Sequence, residues 1–191
     1  FRTYAYPPQF NSANLSIRSF VNRGPEKVIG SRDGLFYINE ATGIVKSFVK
    51  PVLTSDLILT ICFYEGEYYI GTYGGGMMVL DPGTLSLKYF TQGDTELFQK
   101  GHIFCVKPDN RGNLWIGTSQ GLFCYNGQTK QIKNFTSTNS QLPEGNVYEV
   151  SFDSTGKGWI ATETGMCIYD PASQSLRSNV FPEGFVHRDK V

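Results

Sequence analysis

The sequence is poor in the residues that build most metal and catalytic sites. Its 191 residues include two histidines, His102 and His187, and its closest cysteine pair, Cys105 and Cys124, lies 19 positions apart. Zinc sites use closely spaced Cys or His pairs, and the chain has neither these nor an H-x-x-x-H motif. A phosphate-binding glycine loop and a nucleophile elbow are missing too. The sequence therefore gives no reason to expect a metal, a cofactor or an enzymatic centre in this chain.

The chain also lacks net charge and long apolar runs. Its 17 Lys and Arg balance its 17 Asp and Glu. This balance argues against nucleic acid as a partner, because phosphate binding needs an excess of basic surface. The longest apolar run, residues 57–64, is far shorter than the roughly 20 residues of a membrane span. The first residues, FRTYAYPP, do not resemble a secretory signal, so we expect a removed export signal or one piece of a longer protein.

All four cysteines lie inside apolar runs, namely LTICFY, HIFCVK, GLFCYN and GMCIYD. A free cysteine in such a run behaves as a small buried hydrophobic residue. A chain of this length can bury a core without disulfides. We therefore interpret the cysteines as core residues and not as a disulfide framework.

Four similar segments recur along the chain at a regular interval. They are KVIGSRDGLFYI (27–38), YYIGTYGGGMMVL (68–80), LWIGTSQGLFCY (114–125) and GWIATETGMCIY (158–169). Their equivalent small residues are Gly30, Gly71, Gly117 and Ala161, at intervals of 41, 46 and 44 positions. A second series, Phe48, Phe90, Phe135 and Phe181, follows nearly the same interval. Two independent series with one period indicate a repeat protein.

Each repeat has the pattern of strands. Short apolar runs alternate with Gly, Pro, Asn and Asp, and no window of a dozen residues keeps a helical period. The 27 aromatic residues and 21 glycines support many strands and tight turns. Four strands every 41 to 46 residues are typical of a propeller blade. We therefore predict an all-β chain of β-propeller type with about four four-stranded antiparallel blades and almost no helix; a sandwich would not explain the recurring turns.

The third repeat illustrates the predicted strands. They are residues 102–107, 113–118, 121–125 and 130–135, and a hairpin turn at 108–112 joins the first two. Asn126-Gly127 predicts a two-residue hairpin with positive φ angles. Asp81-Pro82-Gly83 and Asp170-Pro171 predict turns in which the Asp side chain bonds its own backbone. Gly at the end of each second strand is expected to let neighbouring backbones approach closely.

The predicted organisation has six segments. Residues 1–13 form the closing strand of a preceding blade and a linker, residues 14–50, 51–91, 92–136 and 137–181 form blades 1 to 4, and residues 182–191 lead towards a further blade. The N-terminal strand could close a four-bladed ring, or the chain could be cut from a longer array. We favour the array, which exposes an apolar face at each end and could meet a second copy edge to edge.

Residues 109–122, DNRGNLWIGTSQGL, resemble the repeat of two-component-regulator propellers. The fourth repeat keeps most of this pattern, and the second and first keep less. The resemblance implies the periplasmic sensor region of a hybrid two-component protein, a glycan-derived signal, more than four blades and membrane attachment only through the parent protein. We assign Trp115 and Trp159 to blade cores. Asp109 and Asp153 are interpreted as caps of hairpin turns, since the residues around them lack a calcium loop's later Glu.

A propeller places the loops after its second and fourth strands on one face around the central channel. The candidate loops here are 31–33, 73–75, 119–120 and 163–164, with 91–101 and 136–145. Their side chains offer the stacking and hydrogen bonds that sugars require. The candidate ligand-binding residues are Arg32, Asp33, Tyr73, Gln120 and Glu163, with His102 at the mouth of the channel.

Three functional hypotheses follow, in order of preference. The first is a non-catalytic module that senses an oligosaccharide for a signalling protein. The second is a scaffold propeller that binds another protein, which a large apolar patch would favour. The third is a propeller enzyme acting on polysaccharide, for which His102 is the one visible titratable candidate.

Overall fold

The computed structural model describes residues 16–93 and 95–178. The predicted closing strand at residues 1–6, the tail from residue 182, Phe181 and His187 lie outside these ranges. The described part holds sixteen strands and one six-residue helix. They are β1 Ile17–Arg23, β2 Glu26–Ser31, β3 Gly34–Asn39, β4 Ile44–Phe48, β5 Ile58–Tyr64, β6 Glu67–Thr72, β7 Met77–Asp81, β8 Ser86–Tyr89, α1 Thr95–Lys100, β9 Ile103–Pro108, β10 Asn113–Thr118, β11 Gly121–Asn126, β12 Ile132–Phe135, β13 Val147–Phe152, β14 Gly158–Thr162, β15 Met166–Asp170 and β16 Ser175–Ser178.

The strands form four antiparallel sheets, each a meander of four consecutive strands. This confirms the predicted all-β fold of four four-stranded blades. The sheets are β1–β4, β5–β8, β9–β12 and β13–β16, called sheets 1 to 4 below. Contacts between sheets run from β1 to β5, from β5 to β9 and from β9 to β13, so the first strands stand side by side. The segment 91–101, expected as a loop, contains α1.

The repeat in the sequence becomes a repeat in strand register. Gly30 pairs with Leu35, Gly71 with Met77, Gly117 with Leu122 and Ala161 with Met166. Opposite each of these small residues the first strand carries a bulge, at residues 18, 59, 104 and 148. A bulge bends its strand and re-aims the extra side chain. The four small residues therefore occupy matching places, as predicted.

Three hydrophobic cores fill the spaces between successive sheets. The first joins Val28 and Tyr37 of sheet 1 to Tyr68 and Leu80 of sheet 2. The second joins sheets 2 and 3 and includes Leu97 and Phe98 of α1. The third joins sheets 3 and 4. Phe48, Phe90 and Phe135, the predicted closing residues, are all at most 5% exposed. Sheets 2 and 3 are therefore covered on both faces, which explains their continuous apolar strands.

The glycine of each second strand marks the closest approach between sheets. A Cβ on Gly30 would lie 2.5 Å from Cγ2 of Ile58, and one on Gly71 would lie 2.7 Å from Cγ2 of Ile103. A Cβ on Gly117 would lie 2.7 Å from the carbonyl oxygen of Val147. Each contacted residue begins or nearly begins the first strand of the next sheet. The glycine is therefore required by packing, as predicted.

The two tryptophans of the repeat have different environments. Trp115 is 1% exposed and its ring lies 4.5 Å from that of Tyr169 and 5.8 Å from that of Phe152, both in sheet 4. Trp159 is 42% exposed, so the prediction that it lies in a blade core is wrong for the described residues. The side chain projects from the face of sheet 4 that corresponds to the covered face of sheet 3, and no described sheet lies against it.

The turns between third and fourth strands share one geometry. Each begins with Asn or Asp, whose side-chain oxygen accepts a hydrogen bond from a backbone N–H two or three residues later. The fifth residue has positive φ in every turn: Gly43, Leu85, Lys130 and Gln174. The Asp turns are thus confirmed. The two-residue hairpin predicted at Asn126-Gly127 is wrong, because the longer turn places the positive φ at Lys130.

A charged cluster joins sheets 1 and 2. The carboxylate of Glu26 accepts hydrogen bonds from the hydroxyls of Tyr37 (2.7 Å) and Tyr68 (2.8 Å) and pairs with Arg23 at 2.9 Å. Burial alone would raise the pKa of Glu26, but these hydrogen bonds and the Arg23 charge outweigh it and lower the pKa. The ionised carboxylate is therefore stabilised in the folded state.

The Gly71→Ala variant should lower the free energy of unfolding by about 1–3 kcal/mol, because the new methyl group overpacks the contact with Ile103. The Ala161→Val variant is the matched control, since it enlarges the equivalent residue of sheet 4 where no described sheet packs, and it should change stability by less than about 0.5 kcal/mol. Urea denaturation followed by tryptophan fluorescence measures both. Equal losses in the two variants would contradict the role assigned to the glycine.

Glu26 should also contribute to the pH dependence of stability. Its folded pKa is below the usual value of 4.5, so its contribution is fully present above that value and is lost as the pH falls through the folded pKa. The Glu26→Gln variant should therefore show a smaller loss of stability than the wild type between pH 5 and about pH 3. Thermal denaturation at a series of pH values tests this, with the exposed Glu144→Gln as control; identical slopes for wild type and Glu26→Gln would refute it.

Candidate functional site

The loops after the second strands are closed by the Ser or Thr of each repeat. The hydroxyls of Ser31, Thr72, Thr118 and Thr162 donate to the carbonyl oxygens of Gly34, Gly76, Gly121 and Gly165 at 2.8–3.0 Å. Each hydroxyl also accepts a hydrogen bond from an N–H within its loop. One hydroxyl thus satisfies two backbone groups in a tight turn. The Ser or Thr of the Ile-Gly-Thr motif is therefore a loop-closing residue.

The residue after this hydroxyl is tied to the start of its own sheet. The N–H groups of Arg32, Tyr73, Ser119 and Glu163 donate to the carbonyl oxygens of Ser16, Leu57, His102 and Asn146. These four loops and the residues just before the first strands form a common surface, called the loop face below. Each repeat therefore presents two equivalent positions there, and their side chains differ from repeat to repeat.

The loop Tyr73–Gly76 is held from both sides by the linkers between sheets. The hydroxyls of Thr54 and Ser55 donate to the carbonyl oxygens of Gly75 and Tyr73, and the N–H of Gly76 donates to the carbonyl oxygen of Gly101. A Cβ on Gly76, whose φ is +71°, would overlap the carbonyl of Phe98. The glycine run thus fits a narrow space between two linkers. This confirms that loops after second and fourth strands meet on one face.

Four aromatic rings cross the loop face from sheet 2 to sheet 4. The Tyr73 and His102 rings lie 4.0 Å apart between centroids, those of His102 and Phe104 lie 6.2 Å apart and those of Phe104 and Tyr148 lie 5.2 Å apart. Tyr73 is 50% exposed and Tyr148 is 44% exposed. Exposed rings of this kind offer flat surfaces for stacking. We call these four residues the aromatic row.

His102 has a distinct environment within the row. Its Nδ1 atom is buried and has no hydrogen-bond partner among the described residues. The imidazole stacks at a tilt of 35° on the exposed Tyr73 ring. His102 therefore places a polar ring inside the aromatic row.

The other predicted site residues lie on the loop face with different contacts. The carboxylate of Glu163 accepts a hydrogen bond from the N–H of Asn146 at 3.2 Å, which fixes it near Tyr148. The N–H of Gln120 is bound by Thr118, and the loop of Arg32 and Asp33 lies on sheet 1, at the far end of the row of sheets. The structure therefore brings Tyr73 and His102 into contact, and it leaves Arg32 and Asp33 in the loop of another sheet.

Sequence reasoning missed three members of this surface. Phe104 and Tyr148 are the bulged residues of their first strands, and the side-chain amide of Asn146 donates to the hydroxyl of Tyr148 at 3.2 Å. The signal in the sequence is weak: an aromatic residue follows the first apolar residue of strands 103–108 and 147–152. Strict alternation would not single it out, since a bulge changes which way the side chain points.

Asp109 and Asp153 cap hairpin turns, as predicted. The carboxylate of Asp109 accepts hydrogen bonds from the N–H groups of Arg111 and Asn113, from the Asn113 side chain and from Nε1 of Trp115, at 2.8–3.0 Å. Burial opposes ionisation of this carboxyl, but the hydrogen bonds outweigh it and lower the pKa of Asp109. Asp153 likewise accepts bonds from Thr155 and Lys157. Both carboxylate oxygens of Asp109 and Oδ1 of Asp153 thus accept bonds from protein donors, which is the arrangement of a turn cap.

The four cysteines are free and lie within the sheets. Burial raises the pKa of each thiol, Cys62, Cys105, Cys124 and Cys167, to about 12. Thiols with such a pKa remain protonated and unreactive near neutral pH. Their interpretation as core residues is confirmed.

Two clefts lie beside the fourth strands of the sheets and reach the linkers that follow these strands. One, of about 460 Å³, lies between β12 and β16 and has Lys133, Gln141 and Arg177 in its lining. The other, of about 480 Å³, lies between sheets 2 and 3 and is lined by Glu67, Lys88 and Tyr125 among others. Both are large enough for a small ligand, and sequence reasoning predicted neither.

Comparison with known proteins agrees with this geometry. Residues 98–120, which run from α1 through β9 and β10 to the closed loop of sheet 3, match the family described as two component regulator propeller. The match is confined to this segment of sheet 3. The match lies in the repeat where the sequence resemblance is strongest, and the other three sheets repeat its register.

Solved structures share the fold. The extracellular domain described as that of the hybrid two component system BT3049 from B. thetaiotaomicron superposes with a TM-score of 0.73 at 24% identity, over 86% of this chain and 23% of its own length. The extracellular domain described as that of the hybrid two component system BT4673, from the same organism, superposes with a TM-score of 0.73 at 20% identity. The match covers 93% of this chain and 24% of that domain. The computationally designed Ika4 protein superposes with a TM-score of 0.61 at 14% identity, over 84% of this chain and 94% of its own length.

The matched extracellular domains are much longer than this chain. The chain spans about a quarter of the length of the extracellular domains, and at such identities the agreement establishes the propeller-like fold. No curated protein matches the sequence. Within the described residues, no helix has the length and apolar character needed to cross a bilayer.

The Thr72→Val variant should lower the free energy of unfolding by about 1–3 kcal/mol, because it removes a buried hydroxyl that bonds both Gly76 and Gly75. The Thr42→Val variant is the control, since Thr42 lies exposed in a turn and its hydroxyl has no such role. Chemical denaturation measures both. A Thr72→Val protein as stable as the wild type would contradict the loop-closing role.

Proposed function

We propose that this chain is a non-catalytic ligand-binding part of the extracytoplasmic sensor region of a hybrid two-component signalling protein. The ligand is a glycan-derived molecule that binds on the loop face. The observation that carries the proposal is the aromatic row, which has exposed rings at Tyr73 and Tyr148. Sugar rings present apolar C–H faces and polar edges, and a row of aromatic rings beside hydrogen-bonding groups is complementary to both.

The polar groups around the row support the same ligand class. His102 places a polar imidazole beside Tyr73, and the pair Asn146 and Glu163 offers amide and carboxylate groups beside Tyr148. Backbone hydrogen bonds hold these residues in place: the N–H of Ser119 donates to the carbonyl oxygen of His102, and that of Glu163 donates to the carbonyl oxygen of Asn146. A preorganised site loses less conformational entropy when it binds.

The family and fold support the location and the signalling role. A two-component regulator propeller repeat and a fold shared with two extracellular domains of hybrid two-component systems favour an extracytoplasmic, periplasmic position. Phosphotransfer would then belong to other parts of the parent protein. A ligand that contacts loops of sheets 2, 3 and 4 could signal by changing how these sheets pack together.

A scaffold function is the second candidate. It is favoured by the open face of sheet 4, where Trp159 is 42% exposed. An exposed apolar face of this kind binds another protein surface or another sheet. This hypothesis predicts tight association with a protein and no affinity for sugars.

Binding to a glycan array, followed by titration of the best oligosaccharide, tests the proposal. The Tyr73→Ala and Tyr148→Ala variants should each lose at least tenfold in affinity, about 1.4 kcal/mol. Tyr89→Ala is the matched control, because Tyr89 is similarly exposed but lies on outer strand β8, and its affinity should not change. The absence of any bound glycan, together with light scattering that shows a tight complex with a protein partner, would reverse the order of the two functions.

A further inference from the structure

Three equivalent lysines occupy the outer strands of sheets 1, 2 and 3. Lys46 pairs in register with Tyr37, Lys88 with Val79 and Lys133 with Cys124. The three partners, which lie in third strands, pair in turn with Val28, Tyr69 and Trp115 of the second strands. The three lysines therefore hold equivalent places in their sheets. Arg177 holds the corresponding place in sheet 4. The repeat therefore sets one cation per sheet at the outer edge.

The first two lysines are satisfied by protein oxygens. The ammonium group of Lys46 donates to the carbonyl oxygen of Leu85 at 3.3 Å, and that of Lys88 lies 2.7 Å from a carboxylate oxygen of Glu67. Lys133 lies 4.8 Å from the centre of the Phe135 ring, as Lys46 lies 5.0 Å from the centre of the Phe48 ring. Unlike the other two lysines, Lys133 meets no carboxylate or carbonyl oxygen among the described residues. The position that is neutralised in sheet 2 is thus left positively charged in sheet 3.

Lys133 and Arg177 both line the cleft of about 460 Å³ between β12 and β16, and no carboxylate is among the residues that line it. Arg177 makes no ion pair or hydrogen bond with any described residue, although its charge contributes to the lowered pKa of Asp170. In the neighbouring cleft between sheets 2 and 3, the two lining lysines, Lys88 and Lys130, pair with Glu67 and Glu65. The cleft between β12 and β16, called the outer cleft below, therefore carries two cations without a counter-charge in its lining.

The rest of the outer cleft is polar and fixed in place. Asn139 accepts from the N–H of Thr136 and donates to the carbonyl oxygen of Asn134, which holds the wall of the cleft. The side-chain oxygen of Gln141 accepts a hydrogen bond from the N–H of Ser178 at 3.3 Å. Its amide nitrogen is thereby left to donate, so Gln141 adds N–H donors to those of the two cations.

We infer that the outer cleft binds an acidic saccharide, with the carboxylate of a uronate unit between Lys133 and Arg177. Two cations and an amide donor select an acceptor-rich anion, and guanidinium groups pair with carboxylates in a bidentate manner. The amide and hydroxyl side chains of Asn134, Gln174 and Ser175 in the lining fit the hydroxyl groups of a sugar. The lining of this cleft shares no residue with the aromatic row, so the inference does not depend on the function proposed for the loop face.

Calorimetric titration of the 191-residue chain with a diuronate, a neutral disaccharide of the same size, sodium sulfate and a short oligoglutamate tests the assignment. The diuronate should bind, and its affinity should fall when the salt concentration rises from 50 to 500 mM, because salt screens exposed charges. The neutral disaccharide should bind at least tenfold more weakly. Equal affinity for sulfate would mean a simple anion site, and tighter binding of oligoglutamate would mean a peptide site; either result would overturn the inference.

Variants locate the site. The Lys133→Ala/Arg177→Ala protein should lose at least tenfold in affinity for the diuronate, whereas Lys133→Arg, which keeps the charge, should stay within about threefold of the wild type. Lys88→Ala is the matched control, since it removes the equivalent lysine of sheet 2, and it should bind as the wild type does. Unchanged affinity in the double variant, with its fold verified by circular dichroism, would falsify the assignment.

Amide chemical shifts separate this site from the loop face. Diuronate binding should shift the resonances of residues 133–141 and 174–178. Shifts confined to Tyr73, His102 and Tyr148 would place the acidic sugar on the loop face, which would overturn the outer cleft as the site and support the function proposed for the loop face. Conversely, loss of neutral-glycan binding in Tyr73→Ala with intact diuronate binding would show that the two sites are independent.

Discussion

The fold depends on the close approach of each sheet to the first strand of the next. Gly30, Gly71 and Gly117 lie where a Cβ would come within 2.8 Å of an atom in the following sheet. This contact holds the first strands side by side and lets the aromatic and aliphatic side chains of both sheets interlock into one core per interface. Most of the stability of such an array comes from these interfaces between neighbours, as in other repeat proteins.

The ends of the second strands build the loop face. The Ser or Thr that follows the small residue is the last residue of the strand and closes the loop with one hydroxyl. The next residue is then tied to the start of the first strand. The backbone is thus constant, while the exposed position carries Arg32, Tyr73, Ser119 or Glu163. A rigid, repeated frame with variable side chains is how many folds carry binding sites.

Differences between equivalent positions are as informative as the repeat. Lys46, Lys88 and Lys133 share one place in the register, but only the first two meet an oxygen partner, a carbonyl group and a carboxylate. Trp115 and Trp159 share another place, and one is buried against sheet 4 while the other is exposed. Equivalent positions in the strands thus have different environments, which depend on the residues packed against them.

The sequence by itself determined the sheets, their register and the loops that meet on one face, because period, apolar pattern and turn residues are local properties of the chain. It also indicated Tyr73 and His102, though not their contact. Only the tertiary structure decided that Phe104 and Tyr148 join them, since a bulge reverses the expected direction of a side chain. The exposure of Trp159 and the meeting of Lys133 and Arg177 in the outer cleft were decided there too, because each depends on residues that lie far away along the chain.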